Sequence, residues 1–301
     1  MDNYPQPAAA RVTELAEKAA SNPALAAAFQ GAPGAYSHLA TLEALPGHIP
    51  LPCFTFEDAL DALKSGRVSR AVLPIENSRH GRVADIHFLL PESGLFITAE
   101  HFLRVRHCLL GLPGTSRAGI KEALSHTQAL GQCRVRLRDW GIHPVQYADT
   151  AGAAALVAET GDRTLAAIAS SLAADLYGLD VLERGIEDVD DNTTRFVVLA
   201  REAVAPDPVT AGPLLTTAVF QVRSVPAALF KALGGFATNG VNLTKLESYL
   251  VGTDFQAAQF YIDFDGSPKD APIKNALEEL QFFSKWVRIL GTYPKNRNAL
   301  G

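Results

Sequence analysis

The chain has 301 residues, 48% of them hydrophobic and 20% charged, the balance of a soluble globular protein with room for about two domains. Its 27 Lys and Arg against 32 Asp and Glu give a net charge of −5 with no basic block, which excludes a surface built for nucleic acid or anionic membrane. No apolar run approaches the roughly 18 residues of a membrane span.

Residues 1–24, with Glu14 and Glu17 and no cationic stretch leading into an apolar one, read as a partly helical extension rather than a leader. LAAAFQ then reads as a strand entering the turn GAPGAYS, with a helix from Ser37 to about Leu45. FEDALDALKSG (56–66) spaces Phe56, Ala59, Leu60 and Leu63 at the helical period and stops at Gly66. RAVLPIENS (70–78) and HCLLGLP (107–113) read as buried strands. IKEALSHTQALGQCRVRLRDWG (120–141) has a strand-like lead, a polar corner and a helix closed by Gly141. TAGAAALVAETG (150–161) is a helix, and LAAIASSLAADLYGL (165–179) a strand and a helix. DNTTRFVVLA (191–200) sets two hydroxyls and Arg195 at the mouth of another buried strand. The alternation predicts α/β units on mostly parallel sheet, with polar corners at strand ends as candidates to meet in one crevice.

REAVAPDPVTAGP (201–213) reads as an exposed linker. Beyond it, strands over 214–224, 241–252, 255–266 and 285–294 and helices over 225–240 and 272–283 predict a ferredoxin-like βαββαβ unit, with Pro226 in the first turn of its first helix. Cys53, Cys108 and Cys133 fall in no CxxC or Cys/His ligand spacing and read as small buried hydrophobes in a reducing, cytoplasmic setting.

Several polar stretches could carry chemistry. The glycines of GAPGAYSHLA (31–40) fit either a tight turn or an anion held on backbone N–H groups, with no Walker lysine and no third dinucleotide glycine. Glu76, Asn77 and Ser78 end a strand and read as a solvated loop or a cleft edge. Ser125, His126 and Gln128 form a corner without a GxSxG elbow, which argues against a serine hydrolase. Thr194 and Arg195 fit a strand start with a solvent-facing cation. They fit equally a cleft hydroxyl beside a cation that pairs a ligand carboxylate or an internal acid.

Taken in order, GAPGAYSHLA, VLPIENSRHGRV, LSHTQALGQC, DTAGAAALVAE, AAIASSLAADLYGL and DNTTRFVVL resemble the motifs of the prephenate dehydratases. The segment after the linker resembles an ACT regulatory domain, and the resemblance covers about residues 26–293. It implies a two-lobed, periplasmic-binding-protein-like α/β catalytic domain over 25–203, with lobes 25–103 plus 187–203 and 104–186, followed by an ACT domain over 213–293. The implied reaction is decarboxylative dehydration of prephenate to phenylpyruvate in phenylalanine biosynthesis. Aromatisation drives it, so no metal or other cofactor is implied.

The implied catalytic residues are Thr194, Asn77 and Gln128, with Arg195, Ser125, His126, Glu76, Ser78, Thr150 and Tyr36 binding substrate. L-phenylalanine is the implied effector, held around Ala228, Leu229, Asn242, Leu243, Glu247 and Ser248, in a homodimer or homotetramer. Ala227 stands where the ACT motif of the family has glycine, and Tyr249 and Leu250 where it has arginine and proline. Arogenate, the aminated analogue, is an alternative substrate. A non-catalytic two-lobed sensor of an amino acid or keto acid is an alternative of another class, disfavoured by Asn77, Gln128 and Thr194 occurring together.

Overall fold

The structure is a computed structural model and describes residues 4–206, 212–223, 225–251 and 257–296. The N-terminal extension is a single helix, α1 (Gln6–Ser21), that buries Ala8 and Ala19. A first sheet region follows: β1 (Ala26–Gln30), α2 (Tyr36–Ala44), β2 (Ile49–Cys53), α3 (Phe56–Lys64), β3 (Arg70–Asn77), β4 (Gly81–Arg82), α4 (Ala84–Glu92) and β5 (Phe96–Arg104). Helix α3 starts in a capping box, in which Thr55 Oγ1 accepts from Asp58 N and Asp58 accepts from Thr55 N. Its period-spaced Ala59, Leu60 and Leu63 are buried.

The chain then builds a second sheet from β6 (Cys108–Gly111), β7 (Glu122–Ser125), α5 (Thr127–Gln132), α6 (Arg134–Trp140), β8 (His143–Gln146), α7 (Thr150–Thr160), β9 (Leu165–Ala169), α8 (Ser171–Tyr177) and β10 (Asp180–Arg184). It returns to the first as β11 (Thr193–Ala200). The first sheet runs β2-β1-β3-β11-β5 with β4 beside β3, and the second β10-β6-β9-β7-β8. β1 is parallel to β2 and β3, and β7 to β8 and β9. β6 and β10 pair antiparallel, which corrects the expectation of mostly parallel sheet on that side. These two strands carry the chain into and out of the second sheet, so no crossover helix forces them parallel. The single helix expected before Gly141 divides at Cys133, whose φ of −112° and ψ of 13° leave the α region.

The GAPG stretch is a tight turn. Gly34 has φ +92°, and a Cβ there would lie 2.9 Å from Ala173 Cα in α8. Its N–H donates to His38 Nδ1 at 3.0 Å, so it is not offered to an anion. His38 is buried and stacked on Phe29, and burial holds its imidazole down at about 4.

Contacts group residues up to 86 with 101–196, and 87–100 with those from 197 on; β5 and β11 run from one group into the other. In the second group, β12 (Leu214–Val222), α9 (Ala228–Thr238), β13 (Leu243–Val251), β14 (Ala257–Asp265), α10 (Ala271–Phe283) and β15 (Ser284–Pro294) give the order β13-β14-β12-β15, a ferredoxin-like βαββαβ sheet. Phe220, Phe260, Ile262 and Phe264 pack with Phe236 of α9 and Leu280 of α10 on one face. On the alternate face, the ring of His87 lies 4.9 Å from Tyr261 and that of Phe88 5.1 Å from Tyr249. Gly291 has no room for a Cβ because the Ile97 carbonyl occupies the place. Helix α9 begins at Ala228, so Pro226 lies before its first turn. Ala227 at its N-cap has φ +59°, the left-handed conformation that glycine adopts freely. Residues 207–211 of the linker and the 252–254 connection lie outside the described residues.

All three cysteines are free and buried. Burial pushes the Cys53 thiol up to about 12 and raises those of Cys108 and Cys133. Among the described residues no helix is long and apolar enough to cross a membrane.

Candidate active site

A cleft of about 410 Å³ is lined from both sheets of the first group. It brings together Tyr36, Asn77, His126, Gln128, Thr150 and Thr194, which the sequence places far apart. Side chains alternate along a strand, so Thr194 and Phe196 of β11 face the cleft and Arg195 faces away. Arg195 is 1% exposed and its Nη1 donates to Glu76 Oε1 at 3.1 Å.

Four residues expected to bind substrate are therefore not in the lining. Arg195 and Glu76 pair behind it. Ser78 Oγ donates to Asp191 O and accepts from Thr193 N, at 3.1 and 2.9 Å, which pins the end of β3 to the start of β11. Ser125 is fully buried and donates to Ile168 O of β9 at 2.6 Å, because the residue closing β7 faces the neighbouring strand.

Asn77 organises the polar floor. Its Oδ1 accepts from the backbone N–H groups of Arg79 and His80, at 2.9 and 3.0 Å. Its Nδ2 donates to Asn192 Oδ1 at 2.7 Å and to Thr194 Oγ1 at 2.9 Å. Thr194 Oγ1 thus accepts a hydrogen bond from the protein, and its own O–H is not spent on Asn77. Asn192 Nδ2 donates to Gln132 Oε1 at 2.9 Å, and His107 Nε2 meets the same oxygen at 2.7 Å. His107 Nδ1 lies 2.7 Å from Tyr36 Oη, which also reaches Arg106 O at 3.0 Å. The Tyr36 hydroxyl is occupied by these partners, so its ring is what it offers the cleft.

The opposite wall is made by helix starts. His126 caps α5, its Nδ1 accepting from Gln128 N at 3.3 Å. Thr150 opens α7, and Asp149 caps it by accepting from Gly152 N at 2.7 Å. Burial raises the Asp149 carboxyl above its usual range, against the pull of the Gly152 and Ala151 N–H groups. Burial also lowers His107 and raises Tyr36 well above the ordinary phenol value. The cavity thus joins neutral donors of fixed orientation, the equipment for stabilising a departing oxygen, with a cation, Arg82, and a carboxyl, Asp149. No group of three or more His, Cys, Asp or Glu able to hold a metal occurs among the described residues.

His107, Gln132, Asp149 and Asn192 line the cleft without having been singled out from the sequence. Gln132 is one helical turn from Gln128 and Asn192 two residues from Thr194 on its strand, both readable spacings. His107 has no local signal. In the second group, Ala228 and Leu229 line a cavity of about 490 Å³ with Ala227 and Lys285. Leu243, Glu247 and Ser248 lie along β13 outside that lining, and Asn242 Nδ2 donates to Asp265 Oδ2 at 2.9 Å.

The prephenate dehydratase family profile matches residues 27–204. A bifunctional N-acyl-homoserine lactone acylase/prephenate dehydratase of Komagataeibacter europaeus is 51% identical over 269 residues, 89% of this chain and 95% of that protein. Arogenate dehydratase/prephenate dehydratase 1 of Arabidopsis thaliana is 44% identical over 280 residues, 88% of this chain and 71% of that protein. The crystal structure of a prephenate dehydratase from Arthrobacter aurescens in complex with L-Phe matches with a TM-score of 0.82 at 30% identity, covering 90% of each chain.

Proposed function

The chain belongs to the prephenate dehydratase family and is an enzyme of that type, and from this premise we propose how its cleft removes water and carbon dioxide together from prephenate. The bond from the ring to its carboxylate breaks and its electron pair enters the ring. The C–O bond at the opposite ring carbon breaks, and the departing hydroxyl takes a proton to leave as water. Phenylpyruvate and carbon dioxide remain.

Thr194 donates a hydrogen bond to the departing oxygen, where negative charge grows. The observation that carries this is the Asn77 Nδ2 bond to Thr194 Oγ1 at 2.9 Å, in which Thr194 accepts, so that its O–H is not spent on Asn77 and can be given to substrate. Gln128, His126 and Thr150 face the substrate's carboxylates from the opposite wall, where the first N–H groups of α5 and α7 are taken up by His126 and Asp149. Arg195 and Glu76 act behind the cleft as a brace.

A second reading, arogenate as substrate, has one observation behind it. Asp149 is a carboxyl in the lining, and an ammonium on the substrate side chain would pair with it. Purified protein supplied with prephenate, and separately with arogenate, should form phenylpyruvate from the first faster than phenylalanine from the second. A preference for arogenate promotes the second reading, and no aromatic product from either overturns both.

Residues 213–293 act as an ACT-type regulatory domain, and L-phenylalanine is its effector. The cavity beside Ala228 and Leu229 supports this. So does the Arthrobacter aurescens relative, a structure in complex with L-Phe. The protein forms a homodimer or homotetramer, which would cover Phe230 and Phe282, 80% and 68% exposed. We read the protein as cytoplasmic, and its three free, buried cysteines support this.

A further inference from the structure

The main chain fixes the orientation of Asn77, and every later orientation follows from it. Because Oδ1 of Asn77 takes two backbone N–H groups, its Nδ2 must face Asn192 and Thr194. An amide nitrogen only donates. Asn192 therefore presents Oδ1 to Asn77 and turns its own Nδ2 toward Gln132. Gln132 must answer with Oε1, which has no proton to give. His107, 2.7 Å from that same oxygen, must supply the N–H of Nε2. With the ring neutral, as burial favours, Nδ1 is bare and draws on the single proton of the Tyr36 hydroxyl, 2.7 Å away, in competition with Arg106 O at 3.0 Å.

We infer that His107, Gln132 and Asn192 are positioning residues that brace the Asn77 amide, whose orientation the main chain sets, and so hold it in place as the donor to Thr194 Oγ1. The inference rests on the reading of the cleft as the dehydratase site. It has a chemical consequence. Asn77 donates to both of its neighbours, so no proton can pass along the chain to Thr194. Thr194 then works as a fixed dipole and not as an acid, and the proton that completes the leaving water enters by another route. The chain also spans both lobes, from Tyr36 on α2 through Gln132 on α5 back to Asn77 on β3. The bracing of Asn77 beneath Thr194 therefore comes from both lobes.

The test reads the histidine tautomer directly by nitrogen NMR on protein labelled with ¹⁵N-histidine. His107→Gln identifies the resonance. The unaltered protein should show the Nε2–H form. In Asn192→Asp, one carboxylate oxygen still accepts from Asn77 and the other faces Gln132. Gln132 must then turn its amide nitrogen toward both neighbours. His107 moves its proton to Nδ1, and Tyr36 accepts it while donating to Arg106 O, 3.0 Å away. The tautomer should switch in Asn192→Asp while kcat falls less than tenfold, since Thr194 keeps its polarity. Asn192→Leu, which breaks the chain, should lower kcat at least tenfold with KM within threefold. An Nδ1–H ring in the unaltered protein, an unswitched ring in Asn192→Asp, or an undiminished kcat in Asn192→Leu overturns the inference. Absence of turnover in the unaltered protein would instead sink the dehydratase reading and leave the tautomer result standing.

Discussion

The two faces of the β3–β11 strand pair are built from opposite chemistry. Toward the cleft stand Asn77 and Thr194, neutral and joined by a hydrogen bond. Behind them stand Glu76 and Arg195, charged and joined by an ion pair, with Arg195 buried among the packed layers. The difference follows what each face must do. A cation on this strand pair gripping the leaving carboxylate tightly would bind the ground state and raise the barrier it should lower; the cation that does line the cleft, Arg82, comes from β4. Neutral donors strengthen their bonds as charge develops on the departing oxygen. The charged pair, set behind, holds the strands in register without touching the reacting atoms.

The sharpest way to break this comparison is Thr194→Val, which keeps the shape and removes the donor. It should lower kcat about 100-fold or more in a protein that unfolds at the same temperature. A turnover near that of the unaltered enzyme would remove the front face from catalysis. The packing beneath the GAPG turn is probed by acid. His38 binds a proton with a pKa of about 4 in the folded state against 6.5 unfolded, so the unfolded chain holds more protons between these values. Folding stability should therefore fall as pH drops from 6.5 to 4, by about 3 kcal/mol from this group. His38→Phe, which keeps the stack on Phe29 and cannot be protonated, should flatten that slope in urea unfolding measured at stepped pH. Arg195→Met should destabilise by about 2 kcal/mol, less than a fully buried pair because Glu76 keeps part of its water, and leave KM for prephenate unchanged. A large rise in KM would show that the guanidinium reaches substrate after all. The smallest effect is a control away from both faces. Ala227→Gly should stabilise by about 1 kcal/mol by relieving the left-handed backbone at φ +59°, with kcat unaltered.

Local periodicity carried most of the fold. Leu60 and Leu63 announce α3, and the four apolar runs after Pro213 give the βαββαβ order as it stands. Helix α4 was harder, since it carries Pro91 within its length and is preceded by Val83, which is not a capping residue type. The antiparallel pairing of β6 and β10 depends on how the chain enters and leaves a sheet, which no local pattern records. At the site, motif resemblance selected Thr194, Asn77 and Gln128, all of which line the cleft. Strand alternation alone would have turned Arg195 and Glu76 away from Thr194 and Asn77. Ser125 looked like part of a polar corner, but its hydroxyl is consumed by the Ile168 carbonyl of a strand more than forty residues on. His107 and Gln132 meet only because two lobes fold together, so neither could be paired from spacing.

The burial of Cys53, Cys108 and Cys133 has a practical consequence. Each thiol is both shielded and held in its unreactive protonated form at neutral pH. The native chain is therefore a silent background for thiol chemistry. A single cysteine placed at an exposed position such as Phe88 or Phe230 would take a fluorophore or spin label selectively, without first replacing the native three. Two such labels could then report distances between chosen points while phenylalanine or substrate is titrated in.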